Sequence, residues 1–326
     1  MGLFRIGTSG WHYPTGAGTW NGVFYPKPRP RGFDELSFYA EHFNTVEVNA
    51  TFYGQPRADV CRDWAERTPS EFEFALKLYQ KFTHPQMYEQ RLARAVPADA
   101  RDDRAVLAEL ARPGAADLDE FRRGIDPLAS KGKLGVLLAQ FPPSFKSDDA
   151  AVAYLRELLR AFAGYPIAVE LRHRSWSDRL GDTLSLINGF GAALAQIDEP
   201  KFRLSIRQNQ LPNVTGFYYM RLHGRNAAQW WRHEKAEDRY NYLYSADELR
   251  EFTQTAEAAG HIVRKVYLYT NNHYSAKSVA NAAMIKAQLG EPLDGEYPEE
   301  FVNRYPELSG IVSRRATLFT PGRKSV

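Results

Sequence analysis

Eight short apolar runs follow one another along this chain, separated by segments with helical spacing. Strands that alternate with helices form parallel sheets with helical crossovers. Most of the runs end in a polar or charged residue, namely Asn49, Lys77, Gln140, Arg172, Asp198, His223 and Asn271. Polar side chains at the ends of apolar strands are typical of the site-bearing rim of a barrel. The pattern predicts an α/β fold, a single TIM-like (β/α)8 barrel.

The same pattern gives the expected element bounds. Predicted strands cover residues 3–9, 45–51, 72–78, 134–141, 167–171, 192–197, 216–223 and 265–270. Apolar residues at helical spacing and capping signals predict helices over 34–43, 58–67, 149–162, 245–260 and 275–289. With no linker or repeat in the chain, we expect one domain over residues 1–326.

Two segments depart from the strand–helix rhythm. Residues 86–126 are rich in arginine and acidic residues and lie between the third and fourth predicted strands. We expect a solvated helical insertion there, with a basic flap over the pocket as the alternative. Residues 291–326, rich in proline, arginine and glutamate, are expected to form a C-terminal tail.

Alternation along each strand assigns side chains to two faces, because one parity must meet the helices and be apolar. In the second strand Val46 and Val48 occupy the helix side, which leaves Glu47 and Asn49 inside. The same argument places the following residues inside: Glu73, Ala75, Lys77, Gln140, Ala168, Glu170, Arg172, Gln196, Asp198, Tyr219, Arg221, His223, Tyr267, Tyr269 and Asn271.

The inner charges suggest a chemistry. Glu47, Glu170 and Asp198 are candidate general acids or bases, and His223 is a candidate proton relay. These four are the predicted catalytic residues. Two arginines can grip an anion and a lysine adds a point charge, so the predicted substrate-binding residues are Trp11, Asn49, Tyr53, Lys77, His84, Gln140, Arg172, Trp176, Arg221, Arg225, Asn271 and Asn272. The alternative is an ion-pair network that satisfies itself and fills the barrel.

Composition narrows the partners. The 42 basic and 39 acidic residues give a net charge of only +3, which does not by itself indicate a nucleic-acid or membrane partner. The single cysteine, Cys61, excludes an internal disulfide framework. No apolar run is long enough to span a bilayer, and the N-terminal residues lack the apolar region of a secretory leader. We expect a cytoplasmic protein with no membrane partner.

A set of ordered motifs resembles a known family. They are IGTSGW (6–11), FNTVEVNATFY (43–53), TH (83–84), GVLLAQFPPSF (135–145), AVELRHRSW (168–176), YMRLHGR (219–225), YNYLYS (240–245) and the asparagines within 271–282. Together they resemble the YecE-like family, domain of unknown function 72, over about residues 3–290. The resemblance implies a TIM-like barrel and carries no assigned role for any matching residue.

Three functions remain open at this stage. The first is a metal-independent enzyme that acts by acid–base chemistry on a small anionic substrate, such as a phosphorylated sugar or a nucleotide derivative. The second is a divalent-metal-dependent nuclease or sugar isomerase-like enzyme, with Glu47, Glu170, Asp198 and His223 as ligands. The third is a non-catalytic protein that binds a nucleic acid or a metabolite through the rim and the loop containing Trp230 and Trp231. The sequence does not indicate an oligomeric state.

Overall fold

The computed structural model describes residues 2–95, 104–208, 211–230, 234–235 and 237–315. Its principal strands are β1 (Leu3–Thr8), β2 (Thr45–Val48), β3 (Glu73–Lys77), β4 (Leu134–Gln140), β5 (Ile167–Glu170), β6 (Ala193–Leu194), β7 (Gln196–Asp198), β8 (Phe217–Leu222) and β9 (Lys265–Thr270). They form two parallel sheets, one in the order β2-β3-β4-β5-β6 and the other in the order β1-β9-β8-β7. The predicted α/β class with parallel strands is therefore confirmed.

The two sheets meet at both of their edges. Ser9, just after β1, forms an isolated parallel bridge with Glu47 of β2, and the Gly10 amide donates to the Glu47 carbonyl at 2.7 Å. At the other edge Ala195 alone separates β6 from β7, and its amide donates to the Val169 carbonyl of β5 at 2.9 Å. The backbone ladders still form two sheets, so the single closed barrel stays a prediction.

Helices follow most of the strands. They are α1 (Glu35–Ala40), α2 (Ala50–Tyr53), α3 (Ala58–Glu66), α4 (Gln80–Thr83), α5 (Pro85–Ala95), α6 (Arg104–Ala111), α7 (Ala115–Ser130), α8 (Asp149–Ala161), α9 (Arg174–Asp178), α10 (Leu180–Asn188), α11 (Ala227–Trp230), α12 (Ala246–Gly260), α13 (Lys277–Gln288) and α14 (Glu299–Arg304). The capping box predicted at Ser245 and Glu248 is present at the start of α12. Among the described residues, no helix has both the length and the apolar character needed to cross a bilayer.

The apolar residues form two layers, one on each face of the strands. Most of the core packs between strands and helices, with members such as Val46, Leu137 and Leu268. A separate cluster lies on the opposite face and contains Ala75, Val136, Leu138, Ala168, Ala193, Ala195, Phe217, Tyr219, Tyr267 and Tyr269. The members of this inner cluster lie on the face that alternation predicted to be inward in β3, β4, β5, β8 and β9. The polar residues at the carboxyl ends of those strands follow directly after this apolar cluster.

The parity predicted for residues 192–197 was wrong. Ala193 and Ala195 belong to the inner cluster, whereas Gln196 and Asp198 pair in register with Met220 and Leu222 and line a cleft beside α12. Alternation failed here because small alanines satisfy either face. Asp198 finds its partners on the helix side, in Arg225 and the Tyr244 hydroxyl.

The two irregular segments contain more buried structure than their composition indicates. Helix α5 buries none of its residues, as expected for a solvated insertion. Helix α7, in contrast, buries Phe121, Ile125 and Leu128 and packs against α3, so the second half of the predicted insertion is a crossover helix. In the predicted tail, α14 buries Phe301 and Val302. Residues 96–103 and 316–326 lie outside the described residues.

Candidate functional site

A fully buried arginine at the end of β8 holds two glutamates from the other sheet. Arg221 donates from Nε to Glu47 Oε2 at 2.8 Å and from Nη2 to Glu47 Oε1 at 2.6 Å. Its Nη1 donates to Glu170 Oε2 and, at 3.2 Å, to Gln140 Oε1. Strands β2, β4, β5 and β8 thus contribute to one centre, as parallel strands do when their carboxyl ends converge.

A second arginine extends this arrangement. Arg172 donates from Nε to Glu170 Oε1 at 2.7 Å and from Nη1 to Glu199 Oε2 at 3.0 Å. We call the five residues Glu47, Glu170, Glu199, Arg172 and Arg221 the buried ion-pair network. Because carboxylates already occupy the donor edges of both guanidinium groups, the network matches the self-satisfied alternative raised from the sequence.

The environment of the network fixes the protonation of its members. Burial alone would raise the pKa of Glu170, but the guanidinium groups of Arg221 and Arg172 outweigh it and hold that pKa well below its ordinary value. Burial raises the pKa of Glu199, and the attraction of Arg172 does not outweigh it. Glu170 is therefore an ionised structural partner at neutral pH, and a poor proton acceptor.

His223 lies beside the network and is fully buried. Its Nδ1 is 2.8 Å from Asn271 Nδ2, and its Nε2 lies 3.3 Å from an Arg172 nitrogen and 3.4 Å from an Arg221 nitrogen. Burial, with Arg221 next in importance, holds the His223 pKa well below its ordinary value. The imidazole is therefore neutral and surrounded by hydrogen-bond donors.

A cavity of about 880 Å³ opens above this network, at the carboxyl ends of the strands. Its lining includes Tyr13, Asn49, Tyr53, Lys77, His84, Gln140, Arg172, Arg221, Trp230, Lys235, Glu237, Arg239, Tyr240, Asn271 and His273. Eight of the residues predicted to bind substrate are among them. Glu47, Glu170 and His223 lie directly behind, in contact with Arg221.

Lys77, the last residue of β3, is the exception among these charged groups. Its Nζ lies 4.0 Å from the centroid of the Phe52 ring, and among the described residues no hydrogen bond or ion pair involves this atom. Burial, followed by the Arg221 guanidinium, lowers the Lys77 pKa from 10.5 to about 7. The ring favours the ammonium form by about 0.5–2 kcal/mol, which is too little to reverse a shift of that size.

Two predicted residues form a separate pair. Asp198 accepts from Arg225 Nε at 2.8 Å and from the Tyr244 hydroxyl at 2.7 Å, in the cleft beside α12. Asp198 therefore does not join Glu47 and Glu170, and its placement among the inner charges was wrong. The physical reason is the strand parity described above.

Three further predicted residues lie outside the cavity. Trp176 is buried and donates from Nε1 to the Phe145 carbonyl at 2.8 Å. Asn272 is also buried and donates to the Tyr242 carbonyl at 2.7 Å. Trp11 lines a neighbouring cleft of about 600 Å³. The polar groups of Trp176 and Asn272 bond to loop carbonyls, so the structure does not bring these two residues together with the others that were predicted to bind substrate.

The proposed metal ligands do not converge. Asp198 is paired elsewhere, and Arg221 holds both Glu47 and Glu170. Within the described parts of the chain, no group of three or more histidine, cysteine, aspartate or glutamate side chains is arranged to hold a metal ion. The donor set does not fit a divalent cation, since guanidinium groups occupy the carboxylate oxygens that would bind it.

Three aromatic residues, Tyr13, Tyr240 and His273, form a wall of the cavity that the sequence did not predict. The Tyr13 ring stacks on His273 with centroids 4.4 Å apart, and Tyr240 lies 4.7 Å from the same imidazole. These residues come from three loops, where neither strand nor helix periodicity predicts a direction. Glu199 was also missed, because it follows Asp198 in a segment whose parity was misassigned.

Comparison with known proteins places this geometry in a family. A sequence model described as "Protein of unknown function DUF72" matches residues 5–301. The chain belongs to the DUF72 family. This confirms the resemblance found in the motifs, and the motif residues around the DUF72 cavity come from all parts of the matched range.

One relative of this DUF72 chain matches almost its whole length, and another matches a short segment. The UPF0759 protein YunF of Bacillus subtilis (strain 168) is 28% identical over 328 residues, covering 97% of this chain and 100% of YunF. The UPF0759 protein YecE of Escherichia coli (strain K12) is 38% identical over 60 residues, which cover 18% of this chain and 22% of YecE.

Solved DUF72 structures share the fold. A DUF72 family protein from Enterococcus faecalis V583 superposes with a TM-score of 0.72 at 22% identity, over 90% of this chain and 99% of that one. A DUF72 family protein from Thermotoga maritima MSB8 gives a TM-score of 0.70 at 29% identity, over 89% and 100% of the two chains. These likenesses support the α/β architecture.

Proposed function

We propose that this DUF72 protein is an enzyme that binds a small anionic substrate in the cavity and uses the Lys77 amine for proton transfer. The single observation that carries the proposal is the contrast between Lys77 and its charged neighbours. The arginines and glutamates beneath the cavity bind one another, whereas Lys77 Nζ has no such partner among the described residues.

In this proposal Lys77 takes the general-base role for which the sequence had suggested Glu47, Glu170 and Asp198. A general base works best when its pKa is close to the working pH. The Lys77 pKa of about 7 meets this condition, and that of Glu170, held far lower by Arg221 and Arg172, does not. Glu47 and Glu170 therefore act as positioning residues, which fix the guanidinium groups and through them the electrostatic field around the amine.

The charges of the lining support an anionic substrate. One carboxylate, Glu237, is among the described lining residues, against five cationic side chains: Lys77, Arg172, Arg221, Lys235 and Arg239. The glutamates of the network neutralise the two deepest of these cations. Lys77 at the base and Lys235 and Arg239 in the loop after β8 add cationic groups to the lining, and cationic groups attract a phosphate or carboxylate.

The architecture that we propose for this site is an eight-stranded barrel made from the two sheets. The bridge between Ser9 and Glu47 supports closure at one edge. The short step through Ala195 supports it at the other, with β6 and β7 as two halves of one strand. In such a barrel every carboxyl end lies at the same rim, where barrel enzymes carry their chemistry.

The test is proton exchange on bound substrate. Wild-type protein is incubated in D2O with a panel of phosphorylated ketoses and aldoses, and loss of the proton beside the carbonyl is followed by NMR. We expect exchange with a subset of the panel, and a drop of about 100-fold or more in Lys77→Met, the size typical for a lost general base.

An exposed ion pair outside the cavity lining supplies the control variant. Arg250→Ala removes an exposed ion pair with Asp247 far from the cavity, and it should exchange protons at the wild-type rate. Exchange that survives in Lys77→Met, or a wild-type protein that neither binds nor exchanges any member of the panel, contradicts the proposal.

A further inference from the structure

We infer that Lys77 Nζ forms a covalent imine with the carbonyl carbon of its substrate, so that the substrate is a small aldehyde or ketone bearing a phosphate or carboxylate. This inference rests on the proposed function and deepens it, because it names the substrate class and gives the amine a nucleophilic role. Proton transfer then depends on Lys77 through the iminium, which acidifies the neighbouring C–H bond, and Nζ itself is no longer the base. Lysine amines that lie in apolar surroundings or beside other cations are activated for this chemistry.

Other buried lysines of the chain show what a structural lysine looks like here. Lys133 Nζ donates to the carbonyls of Ala65 and Thr68, both at 2.7 Å, and to the Thr68 hydroxyl at 3.0 Å. Lys286 Nζ donates to the His42 carbonyl at 2.8 Å. Backbone acceptors therefore hold both ammonium groups in place.

Lys77 has the opposite surroundings. Its Nζ lies 4.0 Å from the Phe52 ring centroid, and among the described residues no acceptor binds it. It also lines the cavity, which neither Lys133 nor Lys286 does. A nucleophile needs a free electron pair and access to its electrophile, and this position provides both.

The charged groups around Lys77 favour the neutral amine. Arg221 and Arg172 are cationic and repel an ammonium group, while Glu170 and Glu47 attract it but are already paired with those arginines. His84 lines the same cavity as a neutral imidazole, because burial and then the charge of Lys77 lower its pKa to about 3. An iminium formed at Nζ replaces the ammonium charge at the same place.

The step balances without a further reactant. The Nζ electron pair forms a C–N bond to the carbonyl carbon, and the C=O π pair moves to the oxygen. The nitrogen gives up one proton and the oxygen gains one, which yields a neutral carbinolamine. Uptake of one further proton by the hydroxyl and loss of water then give the iminium. The net change is amine plus carbonyl plus one proton to iminium plus water, with no change in oxidation state.

Trapping by hydride reduction tests the inference. The full-length protein is incubated with dihydroxyacetone phosphate, glyceraldehyde 3-phosphate or pyruvate in the presence of sodium cyanoborohydride, and then analysed by intact mass and peptide mapping. We expect one adduct per chain, equal to the mass of the probe minus one oxygen and located on Lys77. Dihydroxyacetone, which lacks the phosphate, should label at least about tenfold more slowly.

Variants decide where the adduct forms. Lys77→Arg keeps a cation but offers no amine, and it should lose the adduct while remaining folded by circular dichroism. Lys131→Ala removes a surface lysine paired with Glu66 and should label like the wild type. Adducts spread over surface lysines, and unchanged in Lys77→Arg, would overturn the inference.

The outcomes also separate the two proposals. If no adduct forms on Lys77 but proton exchange still depends on Lys77, the imine is wrong and the proton-transfer function stands. If the probes neither label Lys77 nor undergo Lys77-dependent exchange, both are wrong.

Discussion

Arg221 is the residue on which the buried charges depend, since it holds Glu47 and Glu170 at the same time. Removing one partner of a buried ion pair leaves an uncompensated charge and costs about 3–5 kcal/mol. We expect Arg221→Met to lower the free energy of unfolding by at least this amount in urea denaturation at pH 7. The exposed pair broken in Arg250→Ala should cost less than about 1 kcal/mol.

The loss caused by Arg221→Met should depend on pH in one direction. The folded-state pKa of Glu170 is lowered from its ordinary 4.5, so the interaction adds stability above that value and loses it as the pH falls. The difference in the free energy of unfolding between wild type and variant is therefore largest above about pH 5, and it becomes smaller in acid. A gap that widens below pH 4 would contradict the role given to the guanidinium group.

Lys77 should reduce stability, since its charged form is disfavoured in the folded protein. Its pKa falls from 10.5 to about 7 on folding, so the cost is complete below pH 7 and disappears as the pH rises through 10.5. We expect Lys77→Met to gain about 1–3 kcal/mol at pH 7, less than the full shift implies because the amine is partly accessible from the cavity. Urea denaturation at pH 7 and pH 10.5 measures it.

The control for this prediction is an exposed lysine. Lys131→Met should change stability by less than about 0.5 kcal/mol at either pH. A Lys77→Met variant that is less stable than the wild type at pH 7 would mean that the ammonium group has a stabilising partner. A residue that reduces stability where it lines a cavity is typical of a functional group.

At the scale of elements, the contact between β1 and β2 depends on a glycine. A Cβ atom on Gly7 would lie 2.1 Å from the Thr45 carbonyl oxygen, which is backbone and cannot move aside. We expect Gly7→Ala to cost at least about 1–3 kcal/mol in thermal or urea unfolding. Gly54→Ala, where a Cβ meets nothing within 4 Å, is the matched control and should be close to neutral.

Strand parity could be predicted wherever one face carried large apolar residues. Val46 and Val48 identified Glu47 as an inward residue, and Met220 and Leu222 did the same for Arg221. Alternation could not orient β6 and β7, because Ala193 and Ala195 are small enough for either face. Asp198 was therefore predicted on the wrong face of its strand.

Loop residues could not be placed from periodicity at all. Ser275 and Ala276, two and three residues after His273, adopt φ angles of 52° and 60°, a left-handed conformation that non-glycine residues rarely take. Nothing in the local sequence indicates it, and it depends on tertiary contacts such as the Ser275 amide donating to the Gly18 carbonyl at 3.0 Å. The aromatic wall of Tyr13, Tyr240 and His273 was unpredictable for the same reason.

At the scale of the whole molecule, segments remote in sequence supply one group of paired charges. Glu47 and Arg221 are 174 positions apart, and Arg221 and Glu170 are 51 apart. Three glutamates and two arginines pair with one another, and the lysine remains beside them without a carboxylate partner among the described residues. The network therefore has a structural role, and Lys77 carries the proposed chemistry.

This division predicts the response of the whole protein to divalent cations. A ligand that binds only the folded state raises the melting temperature, and the glutamates of the network are engaged by arginines. We expect millimolar Mg²⁺, Mn²⁺ or Zn²⁺ to change the melting temperature by less than about 1 °C after dialysis against chelator. An increase of several degrees that Glu47→Gln or Glu170→Gln abolishes would restore the metal-dependent alternative.

The most direct test of the account is the titration of Lys77 itself. Protein carrying 13C-labelled lysine is followed by NMR from pH 5 to pH 11, and the Lys77 signal is assigned by its absence in Lys77→Met. We expect the Lys77 signal to titrate with a midpoint at about pH 7, well separated from the midpoints of the remaining lysines. A midpoint near the ordinary value of 10.5 would mean that the amine is a solvated or paired ammonium group, and would contradict the central claim.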